Sequence, residues 1–137
     1  MTGMPQKPEV KYDELEYLPE EIFLFDSRPF TGVAIDRNDS GAVISKMPFI
    51  DGLEHGIARA WHANGRLSLE RPYIHGESYG VAHEWLEDGS LKSQTMFEFG
   101  TMMKREVRDR SGTVVEIFIR PSSDQLYQNV LKRRARR

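Results

Sequence analysis

The sequence predicts a mainly β protein, an elongated single-layer antiparallel meander of repeated β-hairpins with a C-terminal α-helix. Glycine and aromatic residues recur every 24 residues between positions 30 and 118, which indicates a repeat architecture. Asn-Gly and Asp-Gly pairs separate the apolar runs, as in hairpins. Near the C-terminus the apolar spacing becomes helical. The recurring positions are Gly32, Gly56 and Gly80; Gly41, Gly65 and Gly89; Gly52, Gly76 and Gly100; Phe49, Tyr73 and Phe97; and Trp61 and Trp85.

Each repeat is predicted to contain two strands joined by a tight turn. In the second repeat the predicted strands are 56–61 and 66–74, and the turn between them is Ala63-Asn64-Gly65. A three-residue loop that ends in a left-handed glycine gathers more apolar groups on one face than a two-residue turn does. The pairs expected from that loop are Trp61 with Leu67, Arg59 with Leu69, and Ile57 with Arg71.

Alternation along the strands predicts one apolar, buried face for the whole sheet. Its expected members are Val33, Ile35, Val43, Met47, Phe49, Ile57, Trp61, Leu67, Leu69, Tyr73, Val81, Trp85, Leu91, Phe97, Val107, Val115 and Ile117. The opposite face is expected to be smaller and more polar, and it holds Ala58, Ala60, His62, Ala82, Glu84, Lys92 and Gln94. Because a single sheet must cover its apolar face, the C-terminal helix is the expected cover.

The two ends of the chain are predicted to differ from the repeats. Residues 1–11 are expected to be a flexible leader, 12–120 the repeat domain, and 121–137 an amphipathic helix with a basic tail. A strand at 22–25 is expected to cap the open end of the array. The helix is predicted over about residues 123–134. Its N-cap is expected at Ser122 or Ser123, and its apolar side is expected to hold Leu126, Tyr127, Val130 and Leu131.

Composition and charge exclude several kinds of site. The 137 residues include no cysteine, which excludes a disulfide framework, a thiolate nucleophile and a Cys-based metal site. No run is apolar enough for a signal peptide or a membrane span, so a soluble, cytoplasmic protein is expected. The net charge is −2, but five of the 19 basic residues lie in the last six positions, and the remaining 14 basic and 21 acidic residues leave −7. An acidic body favours a basic protein partner over specific binding to nucleic acid.

No catalytic, cofactor-binding or metal-binding residues are predicted. The histidines lack the spacing of metal ligands, and His62 and His83 are expected on opposite faces. The glycines lack the strand–loop–helix context of a phosphate-binding loop, and no serine lies in a Gly-x-Ser-x-Gly elbow. Acidic pairs lie in predicted loops without a shared pocket.

Trp61 and Trp85 are the leading candidates for partner binding. They are expected on the same face, about two strands apart. One interpretation is a hydrophobic stripe beneath a cover. The other is a pair of exposed aromatic anchors, since tryptophan is enriched at binding hot spots. The predicted partner-binding residues are Arg59, Trp61, Tyr73, His83, Trp85 and Phe97.

The unit that runs from Tyr73 to Leu91, YIHGESYGVAHEWLEDGSL, resembles the variant MORN repeat. Phe30-Thr31-Gly32-Val33, after an aromatic strand, is similar to the start of bacterial MORN-variant proteins of the antitoxin-like kind. The resemblance covers about residues 12–118. The first repeat departs from the pattern because Arg37 stands at the tryptophan position, and the fourth departs because Lys104-Arg105 stand at the Gly-Val position. It implies consecutive hairpins and a non-enzymatic antitoxin or immunity-type protein that neutralises a cognate toxin or effector.

Two alternatives remain open at this point. The first is a structural scaffold that self-associates, for example as a homodimer, through sheet edges or an uncovered face. The second is membrane association, which the resemblance also implies because some MORN proteins associate with lipids. In that case the basic tail and the aromatic residues would provide the contacts.

Overall fold

Strands dominate residues 8–136, the part of the chain that this computed structural model describes. Within these residues one α-helix, α1, spans Gln125–Ala135, and a short 3-10 helix spans Tyr12–Glu14. The predicted fold class is confirmed, because repeated hairpins are followed by a C-terminal helix. The strands are β1 Glu9–Lys11, β2 Glu16–Tyr17, β3 Phe23–Phe25, β4 Arg28–Pro29, β5 Gly32–Arg37, β6 Val43–Ile50, β7 Leu53–Glu54, β8 Gly56–Trp61, β9 Leu67–Ile74, β10 Glu77–Ser78, β11 Gly80–Trp85, β12 Leu91–Glu98, β13 Thr101–Arg108 and β14 Val114–Ile119.

Eleven of these strands form one sheet in the order β1-β5-β6-β8-β9-β11-β12-β13-β14, with β7 and β10 attached to β6 and β9. Its pairs are antiparallel except that of β1 with β5, which is parallel and sets Val10 beside Ala34. The remaining strands, β2, β3 and β4, form a separate small sheet. The predicted leader is therefore too long. Residues 1–7 lie outside the described residues, but Glu9–Lys11 belongs to the main sheet.

An aromatic core lies where the small sheet packs against the first repeat. Phe49 is 0% exposed, and its ring centroid lies 5.0 Å from that of Phe23 and 5.7 Å from that of Phe30. The Phe23 N–H also donates to the Gly52 carbonyl at 2.8 Å. The strand predicted at 22–25 is present as β3. It belongs to the small sheet and packs against the first hairpin. The strand at that end of the main sheet is β1, which pairs with β5.

The hairpin turns have the predicted three-residue form. The His62 N–H donates to the Arg66 carbonyl at 2.8 Å, and Gly65 adopts a φ of +85°. Trp61 pairs with Leu67 as predicted, but a bulge next to this pair shifts the register by one residue. The predicted pairs Arg59–Leu69 and Ile57–Arg71 are therefore wrong, and the observed pairs are Ala60–Leu69, Arg59–Glu70 and Ile57–Pro72.

Because of this bulge and the equivalent bulges of the other hairpins, the apolar residues are divided between the two faces, and the prediction of one buried apolar face is wrong. Ile57 and Val81 are 45% and 40% exposed, whereas Ala58 and Ala82 are each 6% exposed. We call the face with Ile57 and Val81 the open face, and the other the inner face. The register places Val33, Ile35, Val43, Ile57, Trp61, Leu67, Val81, Trp85, Leu91, Val115 and Ile117 on the open face, and Met47, Phe49, Leu69, Tyr73, Phe97 and Val107 on the inner face.

The inner face is covered by its own long side chains. Thr95 is 4% exposed and lies opposite Arg105, whose Nη1 donates to its hydroxyl at 3.2 Å. Ala58 lies opposite Arg71, whose guanidinium is 4.3 Å from the ring centroid of Phe97. The aliphatic part of an arginine can shield small residues while its charged end stays solvated. Long side chains next to small ones thus exclude water from this single layer.

The helix α1 contacts β13 and does not cover the open face. Val130 is 1% exposed, whereas Leu126 and Leu131 are 48% and 39% exposed. The N-cap is Asp124, whose carboxylate accepts the Leu126 N–H at 2.7 Å, so the prediction of a serine N-cap is wrong. No helix among the described residues is long and apolar enough to span a membrane.

Two arginines of α1 attach the helix to the turns of neighbouring hairpins. Both terminal nitrogens of Arg133 donate to Glu77 at 2.7 Å, and its guanidinium lies 4.3 Å from the Phe99 ring centroid. Arg134 forms a second two-point ion pair with Glu98. Exposed ion pairs contribute about 0–1 kcal/mol each to stability. We therefore infer that the burial of Val130 and the contact of Arg133 with Phe99 stabilise this attachment more than the two ion pairs do.

The helix cap should make stability depend on pH. The Leu126 N–H, aided by the charge of Arg120, holds the pKa of Asp124 below its usual range. A lowered folded pKa means that the ionised cap stabilises the fold above the unfolded pKa of about 3.9, and that this contribution is lost as pH falls through the folded value. We expect Asp124→Asn to be less stable than the wild type at neutral pH and the difference to shrink below about pH 4. Urea unfolding at several pH values measures it, and a constant difference would contradict the prediction.

Candidate functional site

A continuous row of apolar side chains crosses the open face. Ile57, Val81 and Met96 of this row are 45%, 40% and 44% exposed. Contiguous exposed apolar surface indicates an interaction site, unlike single exposed apolar residues. We call this set the apolar row. It comprises Val33, Pro48, Ile57, Pro72, Val81 and Met96. Val33 pairs with Pro48, Ile57 with Pro72, and Val81 with Met96. The pairs Lys46–Arg59 and Glu70–His83, continued by two residues, place Pro48 beside Ile57 and Pro72 beside Val81.

Proline and glycine shape this row together. A β-carbon at Gly56 would lie 3.1 Å from Pro48 Cγ, and the same distance separates a β-carbon at Gly80 from Pro72 Cγ. Both glycines also have φ values above +110°, at +113° and +115°. In the last repeat a methionine replaces the proline, and Lys104 replaces the glycine. The departure from the repeat pattern at Lys104 therefore coincides with the loss of the proline that crowds this position.

A second row of polar side chains runs beside the first. Each member lies directly opposite the next, and we call the set the polar row: Lys46, Arg59, Glu70, His83, Gln94 and Glu106. Arg59 Nε donates to a Glu70 carboxylate oxygen at 2.7 Å, and the Nε2 atoms of His83 and Gln94 are 3.2 Å apart. The open face thus carries an apolar strip with a line of mutually paired polar groups beside it.

Both tryptophans lie on the open face, beyond the polar row. The ring of Trp85 stacks on His83 with a centroid distance of 5.6 Å, and both tryptophans are half-buried. Four of the six predicted partner-binding residues thus share this face: Arg59, Trp61, His83 and Trp85. The other two, Tyr73 and Phe97, lie on the inner face, where their rings contact the Arg71 guanidinium at 5.5 Å and 4.3 Å. The structure does not bring the six together as one site.

No family model, curated protein or solved structure matches this chain. The geometry of the described residues therefore carries the functional argument. Across residues 8–136 no group of three or more His, Cys, Asp and Glu side chains could hold a metal ion. His62 Nε2 lies 2.8 Å from the Trp85 carbonyl oxygen, and the rings of His55 and His75 are 5.2 Å apart. These contacts link neighbouring hairpins to each other.

The shifted carboxyl groups have local structural causes. Burial raises the pKa of Glu54. The hydroxyl of Ser90 lowers the pKa of Asp88, and the hydroxyl of Ser111 lowers the pKa of Asp109. Each of these two aspartates also accepts a backbone N–H within its own hairpin turn. The lowered pKa values are therefore consequences of turn formation.

Two features of the surface were missed by the sequence predictions. Pro48 and Pro72 are 24 residues apart, so their spacing could have revealed the apolar row. The strand Val114–Ile119 contains one charge among five apolar residues, and it lies at the end of the sheet. Its composition was visible in the sequence, but its position at an edge depends on the topology.

Proposed function

We propose that this chain is a non-enzymatic protein-binding module and that its open face binds a folded protein partner. The observation that carries the proposal is the exposed apolar row, with Ile57, Val81 and Met96 at least 40% exposed. The polar row beside it supplies hydrogen-bonding groups, and the half-buried Trp61 and Trp85 on the far side of the polar row supply aromatic anchors. A few residues, with tryptophan enriched among them, provide most of the binding energy of a protein interface.

Within this class we propose an antitoxin or immunity-type protein that neutralises a toxin or effector. The resemblance to antitoxin-like MORN-variant repeats supports it. The acidic body, at −7 without the last six residues, favours a basic partner because opposite charges accelerate association. Neutralisation requires binding, not catalysis, which is compatible with a flat sheet surface.

Two aspartates in the apolar row should weaken binding to the partner. The partner is first isolated from the native host and then produced in pure form for titration calorimetry. We expect Ile57→Asp combined with Met96→Asp, which are not paired with each other, to weaken binding about tenfold or more, because an interface would desolvate both charges. Both side chains are at least 40% exposed, so the fold should tolerate the changes.

Leu126→Asp is the matched control, since this side chain is 48% exposed but lies on α1. We expect it to bind like the wild type. If the double variant binds normally, the open face is not the binding surface. If the native host yields no partner under conditions that preserve weak complexes, the function itself is contradicted.

A further inference from the structure

The last strand of the sheet leaves an apolar edge without a strand partner. Among the described residues β14 pairs with β13 on one side, and it forms the end of the main sheet. Its open-face residues Val115, Ile117 and Ile119 are 61%, 57% and 65% exposed. The opposite end is protected differently, because β1 has three residues and two of them, Glu9 and Lys11, are charged. An exposed apolar edge strand without proline or lysine is a template for pairing.

The backbone of β14 presents hydrogen-bonding groups at this edge. The Arg120 N–H donates to the Met103 carbonyl at 2.9 Å, so residue 120 directs its N–H to β13. Backbone groups alternate in direction along an antiparallel strand. The N–H and C=O groups of Ile117 and Ile119 therefore point away from β13, whereas Val115 is the extra residue of the bulge between Glu116 and Val114. Ile117 and Ile119 thus combine outward backbone groups with exposed apolar side chains.

We propose that two copies of this chain associate through their β14 strands in an antiparallel pair. The twofold axis lies at Ile117, so that each Ile117 faces its own copy and Val115 faces Ile119. This register pairs the outward backbone groups of the two Ile117 residues directly and sets the outward groups of Ile119 opposite Val115. It joins the two main sheets into one continuous sheet.

The charges of β14 favour this register. A twofold axis at Glu116 would set two carboxylates against each other, and it would require backbone groups that already bond to β13. With the axis at Ile117, Glu116 faces Phe118 of the other copy instead. Within each copy the Arg120 guanidinium lies 5.2 Å from the Phe118 ring centroid. The pairing therefore brings the Arg120 charge of one copy near the Glu116 carboxylate of the other.

The dimer would present two binding surfaces in one direction. A twofold axis perpendicular to the sheet leaves both open faces on the same side. Two linked binding surfaces increase the apparent affinity for a partner that carries two epitopes. The pairing itself depends on β14 alone and does not rest on the proposed function.

Sedimentation velocity of the full chain tests the pairing. Small interfaces dissociate in the micromolar range, so the series should cover about 1–500 µM. We expect a monomer–dimer equilibrium for the wild type. Ile117→Lys and Ile117→Glu should each raise the dimer dissociation constant about tenfold or more, because the twofold axis sets like charges against each other. An equal mixture of the two variants should restore the dimer, since opposite charges then meet.

Ile57→Lys is the matched control, because Ile57 is 45% exposed and lies on an inner strand of the sheet. It should dimerise like the wild type, and circular dichroism should show that all variants are folded. A monomer at every concentration would overturn the proposal. So would a dimer that survives both Ile117 variants, or a mixture that stays monomeric.

A cysteine variant tests the axis directly. The chain has no cysteine, so Ile117→Cys creates a single thiol. Directly opposed residues have Cα atoms about 5.5 Å apart, within the range of a disulfide. We expect copper–phenanthroline oxidation to cross-link Ile117→Cys and to leave Ile57→Cys monomeric. Equal cross-linking of both variants, or of neither, would contradict the axis at Ile117.

Discussion

Phe49→Ala should lower the free energy of unfolding by about 3–5 kcal/mol, the range for a buried phenylalanine. The side chain is 0% exposed, and the rings of Phe23 and Phe30 lie within 6 Å of it, at 5.0 Å and 5.7 Å. These rings belong to different segments, one in β3 and one just before β5. Truncation would leave a cavity between the small sheet and the first hairpin, and it would loosen the packing of one against the other.

Phe97→Ala is the control, because Phe97 occupies the same repeat position two repeats later. It is half-buried, and its ring centroid lies 4.3 Å from the Arg71 guanidinium. Partial burial and a cation–π contact are worth about 1–2 kcal/mol together. Urea unfolding followed by circular dichroism measures both variants. Equal losses would show that the aromatic core at Phe49 is no more important than the later repeats.

Local chemistry explains which parts of the fold were predictable. The strand 56–61 was predicted with its observed bounds, and Gly65 adopts the left-handed conformation expected of the hairpin turn. Both depend on residues adjacent in sequence, where glycine, asparagine and alternation act directly. The helix was also predicted to within a few residues. Its N-cap was wrong because Asp124 and two serines compete for the same role within three positions.

The burial of each face was not predictable from alternation alone. A bulge next to Trp61 and an equivalent bulge next to Trp85 exchange the faces of the residues on the facing strands, so Tyr73 and Phe97 lie on the opposite face from the tryptophans. The cover of the inner face by arginines depends on contacts across strands, as does the pairing of Val10 beside Ala34. The 24-residue spacing predicted that Trp61 and Trp85 share a face, whereas the faces of Tyr73 and Phe97 depend on the register.

Gly52→Ala should be far more destabilising than Gly65→Ala, although the two glycines have nearly equal φ values of +83° and +85°. Alanine in this left-handed conformation costs about 1–2 kcal/mol at either position. A β-carbon at Gly65 meets nothing within 4 Å, but one at Gly52 would overlap the Ile22 Cγ2 methyl and lie 2.9 Å from the Phe23 carbonyl oxygen. Overpacking adds about 1–3 kcal/mol, so we expect a loss of about 2–5 kcal/mol for Gly52→Ala.

Gly76→Ala separates backbone strain from crowding. Its φ is +84°, and its nearest contact for a β-carbon is an ordinary 3.4 Å to Leu53. Gly76 and Gly52 also donate equivalent backbone hydrogen bonds, to the carbonyls of Glu54 and Phe30 at 2.9 Å and 2.8 Å. If crowding against the small sheet decides stability, Gly76→Ala should match Gly65→Ala in urea unfolding, and Gly52→Ala should stand apart. Three equal losses would mean that strain at the turn dominates and that the small sheet yields to the added methyl group.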